Sequence, residues 1–128
     1  MSDLIAAACG SVAMMSSVLV SPDGKYEYEA AHGTVTRHYY KYLKGEKTST
    51  NPVATIYAWS GALKKRAELD NLPKLVHFAE ALEEEVILTL ESGIMTGDLK
   101  ELARIDNIKI VDTETFLREI AARMTKRV

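Results

Sequence analysis

Two of the three prolines in this chain sit where only the start of a helix accepts them comfortably, and that spacing limits what residues 51 to 93 can become. Proline lacks the N–H that the first helical turn leaves unpaired anyway, and its φ is already helical. Asn51 before Pro52, and Asn71 or Leu72 before Pro73, therefore predict two consecutive long helices, with Asn51 capping the first. In the second, Leu75, Phe78, Ala79, Leu82, Val86 and Leu90 form one stripe, and Gly93 stops it. The acidic run at residues 83 to 85 is expected to be a solvated face.

The first proline marks a different break. In Ser21-Pro22-Asp23-Gly24 it takes the second position of a type I turn. "SVLV" and "KYEYEA" flank that turn, and Tyr26, Tyr28 and Ala30 alternate with Lys25, Glu27 and Glu29, as a half-buried hairpin strand requires. Before the hairpin, Ser2 and Asp3 with the spacing of Leu4, Ile5, Ala8 and Val12 predict a helix that Gly10 ends or weakens. Towards the other terminus, Thr96 is expected to cap a short helix reaching Arg104. Residues 108 to 111 form a candidate strand, and a last helix from Asp112 or Thr113 is expected to bury Phe116, Leu117, Ile120 and Met124. The fold class is α/β: one β-hairpin, four to five helices and one short strand without an evident partner, as though part of a sheet were missing. No repeat or internal linker divides residues 1 to 128.

With 128 residues, 47% hydrophobic and 27% charged, the chain can bury a core of its own. It has no apolar run near the roughly 18 residues of a membrane span. The apolar start has no basic region before it and does not read as a signal peptide. The single cysteine, Cys9, cannot close an internal disulfide, which suits the cytoplasm, and is read as a small apolar side chain. A formal charge of −2 gives no general reason to expect nucleic acid or an anionic membrane.

Charge is nevertheless local. Between residues 37 and 47, Arg37, Lys41, Lys44 and Lys47, with His38, face only Glu46. Just before them Gly33 lets the backbone approach a ligand, Thr34 and Thr36 supply hydroxyls, and Arg37 offers a planar fork to a phosphate beside His38. This stretch reads as a site for a phosphorylated small molecule; a strand-to-helix turn with a basic solvent face is the structural alternative. Tyr39, Tyr40 and Tyr42 around Lys41 have the pattern of a single-stranded nucleic acid platform. The acidic total opposes it, and Tyr39, Tyr42 and Leu43 are expected to turn inward instead. His77 is expected at a helix surface. Asp3, a lone carboxylate, reads as part of a capping turn. The seven glycines form neither G-x-G-x-x-G nor a Walker A loop, and G-x-S-x-G, H-E-x-x-H and paired cysteines are missing.

Taken together, "SDLIAAACGSVAMMSSVLVSPDG", "YEYEAAHGTVTRHYYKYLKGEKTSTNP", "IYAWSGALKKRAELDN" and "FAEALEEEVILTLESGIMTGDL" resemble the C-terminal third of NADP-dependent isocitrate dehydrogenases of the homodimeric type. The resemblance runs through residues 2 to 100 and implies the isocitrate/isopropylmalate dehydrogenase-like fold, with this chain as the C-terminal part of the large domain. It implies that residues 32 to 51 wrap the adenosine half of NADP, through His32, Gly33, Thr34, Val35, Thr36, Arg37 and His38. Arg37 and His38 would meet the 2′-phosphate and Asn51 the adenine.

The same resemblance makes Asp3 one ligand of an Mg2+ or Mn2+ site whose other aspartates lie outside these residues. Isocitrate would be the substrate of the full homodimeric enzyme, which oxidatively decarboxylates it to 2-oxoglutarate. The family's substrate-binding arginines and serine and its catalytic tyrosine and lysine have no counterpart here, so the 128 residues alone are expected to be inactive. A stand-alone, non-catalytic NADP-binding or interaction module is the alternative expectation.

Overall fold

A computed structural model describes residues 14–32 and 35–127. The helix expected from Ser2, with Asp3 and Cys9, and the loop positions Gly33 and Thr34 lie outside the described residues.

The hairpin forms as expected, from β1 (Ser16–Val20) and β2 (Tyr26–Ala30), antiparallel with Val18 opposite Tyr28. Gly24 N–H donates to the Ser21 carbonyl at 3.0 Å and Ser21 N–H to that of Lys25 at 2.9 Å. Gly24 has φ 82°, so the type I turn is followed by a left-handed glycine, the three-residue hairpin loop whose twist suits the strands. Tyr28 and Ala30 are half-buried but Tyr26 is exposed.

After β2 the chain makes α1 (Thr36–Leu43), α2 (Val53–Leu69) and α3 (Pro73–Glu91). Asn51 Oδ1 accepts the Val53 N–H at 2.9 Å, but Pro52 itself holds the cap position and α2 opens at Val53, one residue later than the sequence predicts. Asn71 does not cap α3. It closes α2 instead, with φ 53° and with Leu72 N–H reaching back to the Ala67 carbonyl at 2.8 Å. Near the middle of α2, a Cβ at Gly61 would lie 2.8 Å from the Tyr28 ring. Glycine there lets the helix lie directly on the hairpin.

Ala79, Val86 and Leu90 of the α3 stripe are buried, whereas Phe78 is exposed. The acidic run is not a solvated face. Successive helical residues turn by about 100°, so three in a row cannot share one side. Glu83 accepts from Ser60 Oγ at 2.6 Å and Lys64 Nζ at 2.8 Å, and buried Glu85 accepts from Arg127 at 2.9 Å. Arg127 also pairs with Glu84.

The short strand at the end of the chain has a partner within these residues. β3 (Ile94–Met95) and β4 (Lys109–Ile110) pair in parallel, Ile94 opposite Lys109 and Met95 opposite Ile110. Gly93, at φ 87°, makes the turn into β3, and its carbonyl accepts the Lys109 N–H at 2.8 Å. The helix expected from Thr96 to Arg104 is only a 3-10 turn, Gly97–Leu99. Thr96 Oγ1 donates to Asp98 Oδ1 at 2.7 Å, a local bond that competes with helix capping, and glycine follows it.

The last helix, α4 (Thr113–Arg127), buries Phe116, Ile120 and Met124 but leaves Leu117 exposed. These three pack with Val53, Ala81, Val86, Leu90, Met95 and Leu99 into one core among α2, α3, α4 and the β3–β4 pair. Helix α1 stays outside it. Tyr39, Tyr42 and Leu43, expected to turn inward, are 59–70% exposed, because none of its eight residues reaches the core. Among the described residues no helix is long and apolar enough to cross a membrane.

Candidate functional site

The chain leaving β2 passes His32, enters α1 with Arg37 and His38 in its first turn, and doubles back after Lys44. Glu46 N–H bonds to the Lys41 carbonyl at 3.0 Å and Gly45 has φ 72°, so α1 ends in a tight left-handed cap. The return segment, residues 46 to 52, then runs beside α1 and meets the start of α4. Thr48 Oγ1 hydrogen-bonds to Nδ1 of His38, and Thr50 N–H donates to Thr113 Oγ1 at 2.9 Å.

These segments enclose an open cleft of about 820 Å3. His32, Val35, Arg37, His38 and Asn51 all line it, so five of the sequence-predicted cofactor residues share one wall system. Thr36 is exposed and does not line the cleft. Gly33, Thr34 and Asp3 lie outside the described residues. Lys47, Ser49, Thr50, Thr55, Asp98 and Asp112 complete much of the lining. Lys47 was legible only as local charge, while Asp98 and Asp112 carried no signal beyond a helix cap and come from parts of the chain that only folding brings here.

Charge is divided along the cleft. Among the described residues Arg37 is in no ion pair, and Lys47 lies 3.9 Å from Asp112 as a long, solvent-exposed contact. Hydrogen bonds from Thr115 hold the Asp112 carboxyl below its usual range, with Lys47 and Arg118 adding to that and desolvation opposing it. Elsewhere on the lining Asn51 Nδ2 donates to Asp98 Oδ2 at 3.0 Å. With Asn51 Oδ1 taken by Val53, one amide hydrogen of Asn51 remains for a ligand.

Such an arrangement suits an anion near Arg37, His38 and Lys47, joined to a planar polar group near Asn51. It does not fit a divalent cation: among the described residues no group of three His, Cys, Asp or Glu side chains could hold one.

The sequence matches a family model described as isocitrate/isopropylmalate dehydrogenase over residues 1–120. It is 53% identical to the mitochondrial NADP isocitrate dehydrogenase of Saccharomyces cerevisiae, over 99% of this chain and 30% of that protein. It is 48% identical to the peroxisomal NADP isocitrate dehydrogenase of Candida tropicalis and to NADP isocitrate dehydrogenase 1 of Mycobacterium tuberculosis, over 99% of this chain and 32% and 31% of those proteins. The chain thus spans about a third of the length of the curated relatives it matches. With nearly all of its length matched by the family model and an α/β fold in place, the chain belongs to the isocitrate/isopropylmalate dehydrogenase family.

Proposed function

We propose that this chain supplies the adenosine half of the NADP site of an isocitrate dehydrogenase. The observation that carries the reading is the cleft itself, whose lining brings together Arg37, His38, Lys47 and Asn51. Arg37 and His38 pair with the 2′-phosphate, the dianion that NAD lacks, and Lys47, on the same lining, adds positive charge. Asn51 uses its remaining amide hydrogen on the adenine edge. His32 and Val35 flank the ribose, with Gly33, Thr34 and Thr36 providing backbone and hydroxyl donors from the loop. Residues 1 to 128 then form the C-terminal portion of the large domain.

NADP supplies the chemistry of hydride acceptance at its nicotinamide end; the residues of this cleft bind and orient the opposite end. In the complete enzyme, a homodimer, isocitrate is oxidised and decarboxylated to 2-oxoglutarate. Mg2+ or Mn2+ belongs to that assembly, with Asp3 as this chain's ligand to it. The relatives named above are called mitochondrial and peroxisomal; the lone Cys9 supports a reducing compartment such as the cytoplasm for this chain.

Calorimetric titration of the 128-residue chain with NADP and with NAD tests the reading. NADP is expected to bind at least about 10-fold more tightly, as one charge-assisted contact to an extra phosphate provides. Equal affinities would remove the 2′-phosphate from the cleft.

A further inference from the structure

Two of the proposed cofactor contacts depend on a segment with no regular structure of its own. Residues 46 to 52 join α1 to α2 without a strand partner. At one end of this segment Thr48 holds the His38 ring, and at the other Asn51 turns between Val53 and Asp98. Between them, Ser49 and Thr50 are gripped by one residue more than sixty positions away in sequence.

That residue is Thr113, the first of α4. Its N–H donates to Ser49 Oγ at 2.9 Å, and its Oγ1 lies 3.0 Å from the same oxygen. Its hydroxyl also accepts the Thr50 N–H at 2.9 Å and donates to the Thr50 carbonyl. The Ser49 hydroxyl proton therefore points to Thr113 Oγ1, which then accepts twice and donates once. Every hydrogen-bonding position of that hydroxyl is used on the segment, and both its donor and acceptor sides meet the Thr50 backbone. Asp112, next in the chain, carries the 3.9 Å contact to Lys47 in the same direction.

We infer that Thr113 is a positioning residue for the nucleotide site: it sets the place of His38 and Asn51 through the segment between them. This rests on the reading of the cleft as the adenosine site. The segment alone would sample many conformations, each misplacing one contact or the other, and a side chain anchored on α4 removes that freedom.

Thr113→Val keeps the shape and deletes the hydroxyl; Thr113→Ser keeps the hydroxyl. In the 128-residue chain, at a temperature where circular dichroism shows native helix in all samples, Thr113→Val is expected to raise the NADP Kd about 10-fold. Thr113→Ser should stay within about 2-fold of the unmutated chain. Amide hydrogen exchange at Thr50 should accelerate in the Val variant and not in the Ser variant. A folded Val variant with NADP affinity unchanged, or with Thr50 exchange unchanged, overturns the proposal.

If the Val variant does not fold, Ser49→Ala decides: it removes the two Ser49 contacts but leaves Thr113 paired to Thr50. The NADP Kd should then rise while Thr50 stays protected from exchange, and an unchanged Kd overturns the proposal. A failure of the NADP reading shows separately, as equal affinity of the unmutated chain for NADP and NAD, and would take the positioning role with it.

Discussion

Asn51 has two tasks that compete for one side chain, and its geometry divides them. The carbonyl end stabilises the first turn of α2 and the amide end faces Asp98 and the cleft, so a substitution there confuses folding with binding. Arg37 is the cleaner probe, being exposed and, among the described residues, outside every ion pair. Arg37→Ala is expected to weaken NADP by about 1.5–3 kcal/mol, or about one to two powers of ten in Kd, the range for hydrogen bonds to a charged group. NAD should be almost unaffected and the melting temperature unchanged. Equal losses for both nucleotides in calorimetric titrations would refute the assignment of Arg37 to the 2′-phosphate. Arg37 and His38 were legible because they stand side by side in a basic stretch, and both line the cleft. Asp98 and Asp112 were not, because nothing local distinguishes an aspartate at a cleft from one at a turn.

At the scale of elements, the sequence reading succeeded where a break in the chain has a local cause and failed where packing decides. Pro73, Gly24 and Gly93 mark their boundaries by backbone chemistry alone, and all three stand where expected. The β3–β4 pair escaped notice because two residues per strand give no alternation to read. In α3 the acidic run was misjudged because composition does not say which neighbour each turn of helix meets. Glu83 lies against α2, where it accepts from the fully buried Ser60 and from Lys64. Glu83→Ala should therefore destabilise the chain by about 1–2 kcal/mol, since a buried hydroxyl loses its charged acceptor. Glu84→Ala, at a more exposed position, should have much less effect on chemical denaturation; losses near zero at both positions would return the run to a solvated face.

Helix α4 offers a second test at this scale. Asp112 Oδ1 accepts the Thr115 N–H at 2.8 Å, and the folded carboxyl titrates below its unfolded value of about 3.8. Its stabilisation is thus complete above that value and is lost as pH falls through the lower folded one. Asp112→Asn should flatten the fall in melting temperature below about pH 4. An acid limb identical in both proteins would show that this carboxylate is not coupled to folding.

In the whole molecule two recesses meet at Pro52 and Thr55. One is the cleft, which carries charged side chains of both signs. In the other, Trp59 of α2, Phe78 and Leu82 of α3, and Leu117 and Met124 of α4 line an apolar groove of about 490 Å3. Trp59 is 66% exposed there, and Phe78 and Leu117 are also open to solvent, which is why the stripes read from α3 and α4 are wider than the core they serve. Helix α2 is covered by the hairpin through Gly61 and by α3, so its third side is the one that carries this indole. Trp59 is the sole tryptophan, so its fluorescence reports the groove directly. In dilute monomeric chain the emission should be that of a water-exposed indole and acrylamide should quench it efficiently. Raising the protein concentration should shift the emission to the blue and protect it if copies meet through this face. Quenching that is weak even in a monomer would mean that the groove closes over Trp59 by itself, and that α2, α3 and α4 pack more tightly in solution than their exposed side chains show.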